Sequence, residues 1–158
     1  MTTAVEIYRA AHDAFNRRDF DALGGMFAAD HVFIDHGRRI VAVGPDAFVE
    51  IARDEVAMAS DSSVTQPEYY GSGAAAVCRF VTAGTNDGLV GGILPATGRR
   101  YSVPMLEIVH VSGDKVSLTE LFYDYAALMV QLGLSEPLST APSLAEFQAA
   151  YVEQHAPI

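Results

Sequence analysis

The chain has 158 residues, half of them apolar and 19% charged, which fits one domain with a full-sized core and excludes a second domain of ordinary size. A formal net charge of -10 excludes the basic stripe that a nucleic-acid backbone or an anionic lipid surface requires, so neither is an expected partner.

No apolar run approaches the roughly 20 residues that span a bilayer. The opening MTTAVEIYRAAHDAF lacks the basic start and apolar block of a secretory signal, so a cytoplasmic protein is expected. Cys78 is the one cysteine and lies in the apolar run AAAVCRFV. It reads as a buried, inert thiol.

In chain order, Val5, Tyr8, His12 and Phe15 recur at helical spacing in VEIYRAAHDAFNRRD, which makes His12 a packed, hydrogen-bonded core histidine. Asp19 can cap a second short helix, FDALGGMF. Its Gly24 and Gly25 each weaken the helix by about 1 kcal/mol, so close packing against a neighbour is the expected reason for them. HVFID is a short strand. Gly44-Pro45 then opens a third helix, PDAFVEIARDEVAMA, along which Phe48, Ile51, Glu55, Val56 and Ala59 are spaced.

From Val64 the period changes to that of strands: VTQPEYY, AAAVCRFVTAG, RRYSVPMLEIVHV and VSLTELFYDY, joined by turns and a glycine-rich loop, NDGLVGGILPATG, that forms a rim. These read as an antiparallel meander, with Pro104 marking a bulge or bend. AALMVQLG follows as a short helix. Ser143-Leu-Ala-Glu146 is a capping box for a last helix, SLAEFQAAYVEQH, whose Leu144, Phe147 and Tyr151 would cover the pocket mouth or a dimer edge. The fold class is therefore α+β: a curved sheet wrapped on about three N-terminal helices, with a helical extension over 135–158 beyond a domain over 1–134. The space between helices and curved sheet is a pocket for a small molecule.

The opening FNRRDFDALGGMFAADHVFIDHG and, above all, LPATGRRYSVPMLEIVHVSGDKVSLTELFYDYAALMVQLGL resemble the SnoaL-like polyketide cyclases of the nuclear-transport-factor-2-like superfamily. The most specific piece runs from Phe122-Tyr-Asp124 to Gln131-Leu-Gly133. The resemblance implies a cone-shaped fold, usually dimeric, and ring closure by intramolecular aldol chemistry without metal or cofactor. It places the acid/base aspartate on Asp124. A second resemblance, to the ketosteroid isomerases, places a base in the first strand, on Asp35.

The residues add their own argument. In LTELFYDY, Leu118, Glu120, Phe122 and Asp124 share one strand face, and Thr119, Leu121, Tyr123 and Tyr125 the other. An acid held among Phe122, Leu118 and apolar neighbours loses hydration and is tuned toward proton transfer; the alternative use of Asp124 is to cap AALMVQLG. Glu107, in alternation with Tyr101, Val103 and Met105, and Glu120 are expected to face the pocket beside Phe122, Phe33, Val103 and Met105. The bland alternative puts that acid-bearing face on the solvent side. His36 points away from Asp35 unless Gly37 bends the strand, in which case His36 is a proton-transfer partner. Thr119, Leu121 and Tyr123 would then form an outer face that joins two copies as a homodimer. No metal-ligand spacing is present.

The expected function is thus a cofactor-independent acid/base enzyme acting on an apolar, oxygenated small molecule by enolisation. The alternatives are a non-catalytic binding or assembly module, and water addition of the epoxide-hydrolase kind. The latter calls for a water-holding trio with an arginine, which the strands lack.

Overall fold

The computed structural model describes residues 3–136. The extension beyond them, with its expected last helix, lies outside the described residues.

Helix α1 (Ala4–Asn16) begins at a capping box between Thr3 and Glu6 and buries Ala4, Ile7, Tyr8, Ala11, His12 and Phe15, one stripe of the helix. Helix α2 (Phe20–Gly25) is capped by Asp19, whose carboxylate accepts the Ala22 amide at 3.1 Å. A side-chain carbon at Gly24 would sit 3.2 Å from Val49 of helix α3 (Pro45–Met58), which is the close packing expected of that glycine, whereas one at Gly25 would meet nothing within 4 Å.

Six strands follow or interleave: β1 (Phe27–Asp35), β2 (Ile40–Val43), β3 (Ser63–Ser72), β4 (Ala75–Thr85), β5 (Arg100–Ser112) and β6 (Lys115–Tyr123), before helix α4 (Tyr125–Gln131). They form one sheet in the order β2-β1-β6-β5-β4-β3. β3 to β6 are the expected antiparallel meander, whereas β1 joins β6 in parallel and pairs with β2 as a hairpin. β1 also begins earlier than the run HVFID suggests, at Phe27, because α2 ends at its second glycine.

Pro104 marks no bulge: its register with β4 runs unbroken, Val81 opposite Pro104. β6 ends at Tyr123, opposite Met105, so Pro104 has no partner on that side whose ladder bond its missing N–H would forfeit. The irregularities lie instead between Phe27 and Val32, between Thr65 and Glu68 and between His110 and Val111.

The helices cover the inner face of the sheet. Ile7, Tyr8, Ala11 and Phe15 of α1 pack with Phe27, Phe33, Phe80, Val109, Val116 and Leu121 from the strands, and each large apolar side chain so buried contributes about 1.5–3 kcal/mol. A second cluster, Tyr101 and Val103 with Leu128 and Leu132, ties α4 to β5. Cys78 lies 1% exposed on the inner face, and burial, aided by Glu107, pushes its thiol up to about 12. It is the inert core thiol that its apolar neighbours imply. Among the described residues no helix is long and apolar enough to cross a membrane.

Candidate active site

Between α1, α3 and the inner face of the sheet lies a cavity in two compartments. The inner one, about 80 Å³, is walled by aromatic and aliphatic side chains, with Tyr8, His12, Thr82 and Glu107 among them. The outer one, about 180 Å³, is bounded by Tyr101, Tyr123, Tyr125, Leu128 and Met129, with Val90 and Gly91 of the glycine-rich loop as its rim. Arg38, Glu55, Met105 and Leu121 line both, so the compartments meet at that waist.

Strand alternation sets which side chains enter. Leu121 of β6 lies opposite Glu107 of β5 and beside Asp35 of β1, so these three share the inner face. Asp35 is fully buried. Its Oδ1 accepts the Arg38 backbone N–H at 2.8 Å, and its Oδ2 accepts Arg38 Nε at 2.6 Å and the Tyr123 hydroxyl at 3.2 Å. Gly37 makes room for that tyrosine, since a side-chain carbon there would stand 2.7 Å from its ring. Burial first, and then Asp35, push the Tyr123 phenol well above its ordinary value, so it stays a donor.

Glu55 comes to the waist from α3. Ser62 donates to its Oε1 at 2.8 Å, and Tyr101 donates to Ser62 at 3.0 Å. Burial raises the Glu55 carboxyl, with Glu107 adding to the effect, which favours the protonated acid. At the inner end, Glu107 Oε2 lies 3.2 Å from His12 Nε2, and His12 Nδ1 lies 2.9 Å from the Tyr69 hydroxyl.

The positions expected from sequence divide cleanly. Asp35, Phe33, Met105 and Glu107 face inward and line the cavity. Val103 faces inward too, but it packs with Tyr101, Leu128 and Leu132 rather than on the cavity wall. Glu120 and Phe122 do not enter: they sit opposite Ile108 and Leu106 on the outer face, where Phe122 is 37% exposed. The expectation that Glu107 and Glu120 share a face is off by one residue of register, and such a slip exchanges the two faces of a strand. Thr119, Leu121 and Tyr123, expected outside, are the inward set.

His36 points away from Asp35, as plain alternation requires. It stacks on Phe122 with centroids 4.2 Å apart and lies 2.9 Å from Glu120 at the surface. Asp124 is exposed, and its carboxylate accepts the Ala127 amide at 2.9 Å as the N-cap of α4. The chain has left β6 by that point, so Asp124 follows the needs of the helix rather than the alternation of the strand.

The comparisons with known proteins agree on this architecture. The family model for the SnoaL-like polyketide cyclases matches residues 5–132. The chain belongs to that family. None of the curated proteins matches it. Among solved structures it is similar to a hypothetical protein with a ketosteroid isomerase-like fold from Catenulispora acidiphila, in complex with trimethylamine, at 25% identity and TM-score 0.71, covering 89% of this chain and all (100%) of that one. It is also similar to a candidate polyketide cyclase from Xanthomonas campestris pv. campestris at 20% identity and TM-score 0.72, with 80% and 93% covered. A candidate SnoaL-like polyketide cyclase from Jannaschia sp. CCS1 matches at 16% identity and TM-score 0.74, with 87% and 99% covered.

Within this SnoaL-like cone, several polar cavity residues escape the sequence patterns. Arg38 sits in the turn between β1 and β2, where no periodicity marks a side chain as inward. Glu55 carried a usable signal, an acid placed in the apolar stripe of a helix. His12 carried the same signal and is indeed buried and hydrogen-bonded, but on the cavity wall. The arginine that the strands lack is thus supplied by a turn, next to an aspartate.

Proposed function

We propose that this SnoaL-like chain is a cofactor-independent acid/base enzyme, a cyclase or isomerase that enolises an apolar, oxygenated small molecule. The observation that carries the reading is the cavity itself: an apolar, aromatic-lined space in which a few buried carboxyls and hydrogen-bond donors converge. Enolisation needs a group to take a proton from carbon and donors to hold the oxygen on which charge develops, and both act more strongly where water is scarce. Arg38, held by Asp35 through Nε and its own backbone, can present its remaining N–H groups at the waist to a carbonyl oxygen. Asp35 already receives three hydrogen bonds, so in this reading it orients the substrate through Arg38 and Tyr123. Asp124, exposed as the cap of α4, takes no part in proton transfer.

The test is exchange of the α-protons of 2-tetralone, an apolar cyclic ketone, in deuterated buffer followed by NMR. The protein is expected to accelerate exchange above buffer. Leu121→Trp, which fills the waist, should lower the acceleration at least tenfold while the circular dichroism stays unchanged. No acceleration by the unaltered protein, or an unchanged rate in a folded Leu121→Trp variant, would overturn the reading.

The chain also works as a homodimer in this proposal, through the outer face of the sheet. The residues differ from the expected ones: Val41, Val43, Leu106 and Phe122 are exposed apolar groups there, as is Tyr70 nearer the β3 edge, and Leu106 faces Phe122 across the ladder. Light scattering at micromolar concentration should give twice the chain mass of 16.9 kDa. A monomeric mass would reject the dimer.

A further inference from the structure

A hydrogen-bonded chain runs from the inner compartment outward. Glu107 projects from β5 into the cavity, its Oε2 meets His12 Nε2 of α1, and His12 Nδ1 meets the hydroxyl of Tyr69 on β3. Tyr69 is half-buried, with the Arg9 guanidinium 4.8 Å over its ring. Burial pushes its phenol up to about 12, so near neutrality it keeps its proton and can donate. Nδ1 then accepts, which leaves the ring proton of neutral His12 on Nε2, aimed at Glu107. The tautomer is set by the chain, and the carboxylate is oriented by it. Tyr8, buried in the same wall, brings its hydroxyl beside Glu107 and Thr119; burial, reinforced by Glu107, keeps it protonated.

Of the other carboxyls that line the cavity, Asp35 is saturated by Arg38 and Tyr123, Glu55 accepts from Ser62, and Asp54 borders only the outer compartment, away from the aromatic inner wall. We propose that Glu107 is the catalytic base, that His12 and Tyr69 are positioning residues behind it, and that the Tyr8 hydroxyl holds the enolate oxygen of a flat, aromatic or polycyclic ketone. The proposal rests on the enolisation reading above and names its proton acceptor and substrate class.

The step closes without an external reactant. Glu107 takes the proton from the carbon next to the carbonyl, the C–H pair becomes the C=C bond, and the carbonyl π pair moves to oxygen beside Tyr8. In an isomerisation Glu107 returns the proton to another carbon of the conjugated system. In a cyclisation the enolate carbon attacks a second carbonyl, whose oxygen takes the proton. The inner wall of Phe15, Phe27, Phe33, Phe48 and Phe80 suits a flat ring system.

The test uses the full chain, 2-tetralone exchange and two variants. Glu107→Gln should lower the exchange rate on the order of 100-fold or more, the cost of a lost general base. Tyr69→Phe should lower it less, with the rate constant falling at unchanged ketone affinity. In the same variant, 15N NMR of the His12 ring should show protonation spreading from Nε2 to Nδ1, a change that a purely structural role would not produce. If Leu121→Trp abolishes exchange but folded Glu107→Gln keeps more than a third of it, the assignment of the base falls and the cavity reading stands. If Glu107→Gln fails to fold, an unchanged His12 tautomer and rate in Tyr69→Phe overturn the proposal. If the unaltered protein does not accelerate exchange, both fall together.

Discussion

The two faces of β6 hold opposite chemistry within nine residues. Inward, Thr119 is fully buried, Leu121 closes the waist of the cavity and the Tyr123 hydroxyl reaches Asp35. Outward, Glu120 meets His36, and Phe122 stacks on the same histidine at the surface. The acids that stand out in LTELFYDY do not line the cavity, and the acids that do come from β1, α3 and β5. An acid among apolar residues on a strand is therefore a weak guide to a site until the partner strand's register is known.

The sharpest way to break this contrast is to remove one acid from each face. Asp35→Ala leaves the Arg38 guanidinium without its partner in a pair whose aspartate is wholly buried, so urea unfolding should show a loss of about 3 kcal/mol. That is the low end for a buried pair, because the arginine side chain is 36% exposed. Glu120→Ala removes a surface contact to a histidine and should cost less than about 1 kcal/mol. Equal losses would mean that the faces are not energetically distinct.

A second prediction concerns pH and the inner face of β1. His31 is fully buried between Phe27 and Phe48, its Nε2 is 3.1 Å from the Thr119 hydroxyl, and burial lowers it from 6.5 to about 4. As pH falls below 6.5 the unfolded chain binds a proton that the folded chain refuses until about 4, so stability declines through that window. The loss reaches about 2 kcal/mol by pH 5, at 1.36 kcal/mol per pH unit. Glu55 works in the reverse sense: its raised carboxyl weakens the fold as pH rises past 4.5. Urea midpoints between pH 7 and 5 should fall in the unaltered protein and fall less in His31→Asn. Parallel curves for the two would place His31 in a wetter setting than the inner face.

Much of the fold was legible because its signals are local. The spacing of Val5, Tyr8, His12 and Phe15, the cap Asp19 and Pro45 mark helices by chemistry that acts within a turn or two, and the alternation of Tyr101, Val103 and Glu107 fixes the inner face of β5. The parallel union of β1 with β6 was not legible, since it joins residues such as Asp35 and Leu121 across most of the chain. The site was legible in part for the same reason. Glu107 follows from alternation within its own strand and Asp35 comes from the ketosteroid isomerase resemblance, whereas the facing of Glu120 depends on pairing between strands. Arg38 depends on the shape of a turn.

The smallest effect expected is that of Asp124→Asn, at a position where the resemblance and the structure assign different work. Its carboxylate accepts the Ala127 amide and lies at the positive end of α4, which in turn presents Leu128 and Met129 to the outer compartment. Asp124→Ala should cost about 1 kcal/mol of stability, the usual cost of losing a cap, and Asp124→Asn almost none, because asparagine caps nearly as well. The same pair separates cap from catalyst. Asparagine keeps the cap and removes the titratable group, so ketone exchange in Asp124→Asn should stay within about threefold of the unaltered protein, whereas loss of a general base costs on the order of 100-fold or more. A loss of that size in a variant of undiminished stability would return proton transfer to Asp124 and require α4 to move its cap toward the cavity during turnover.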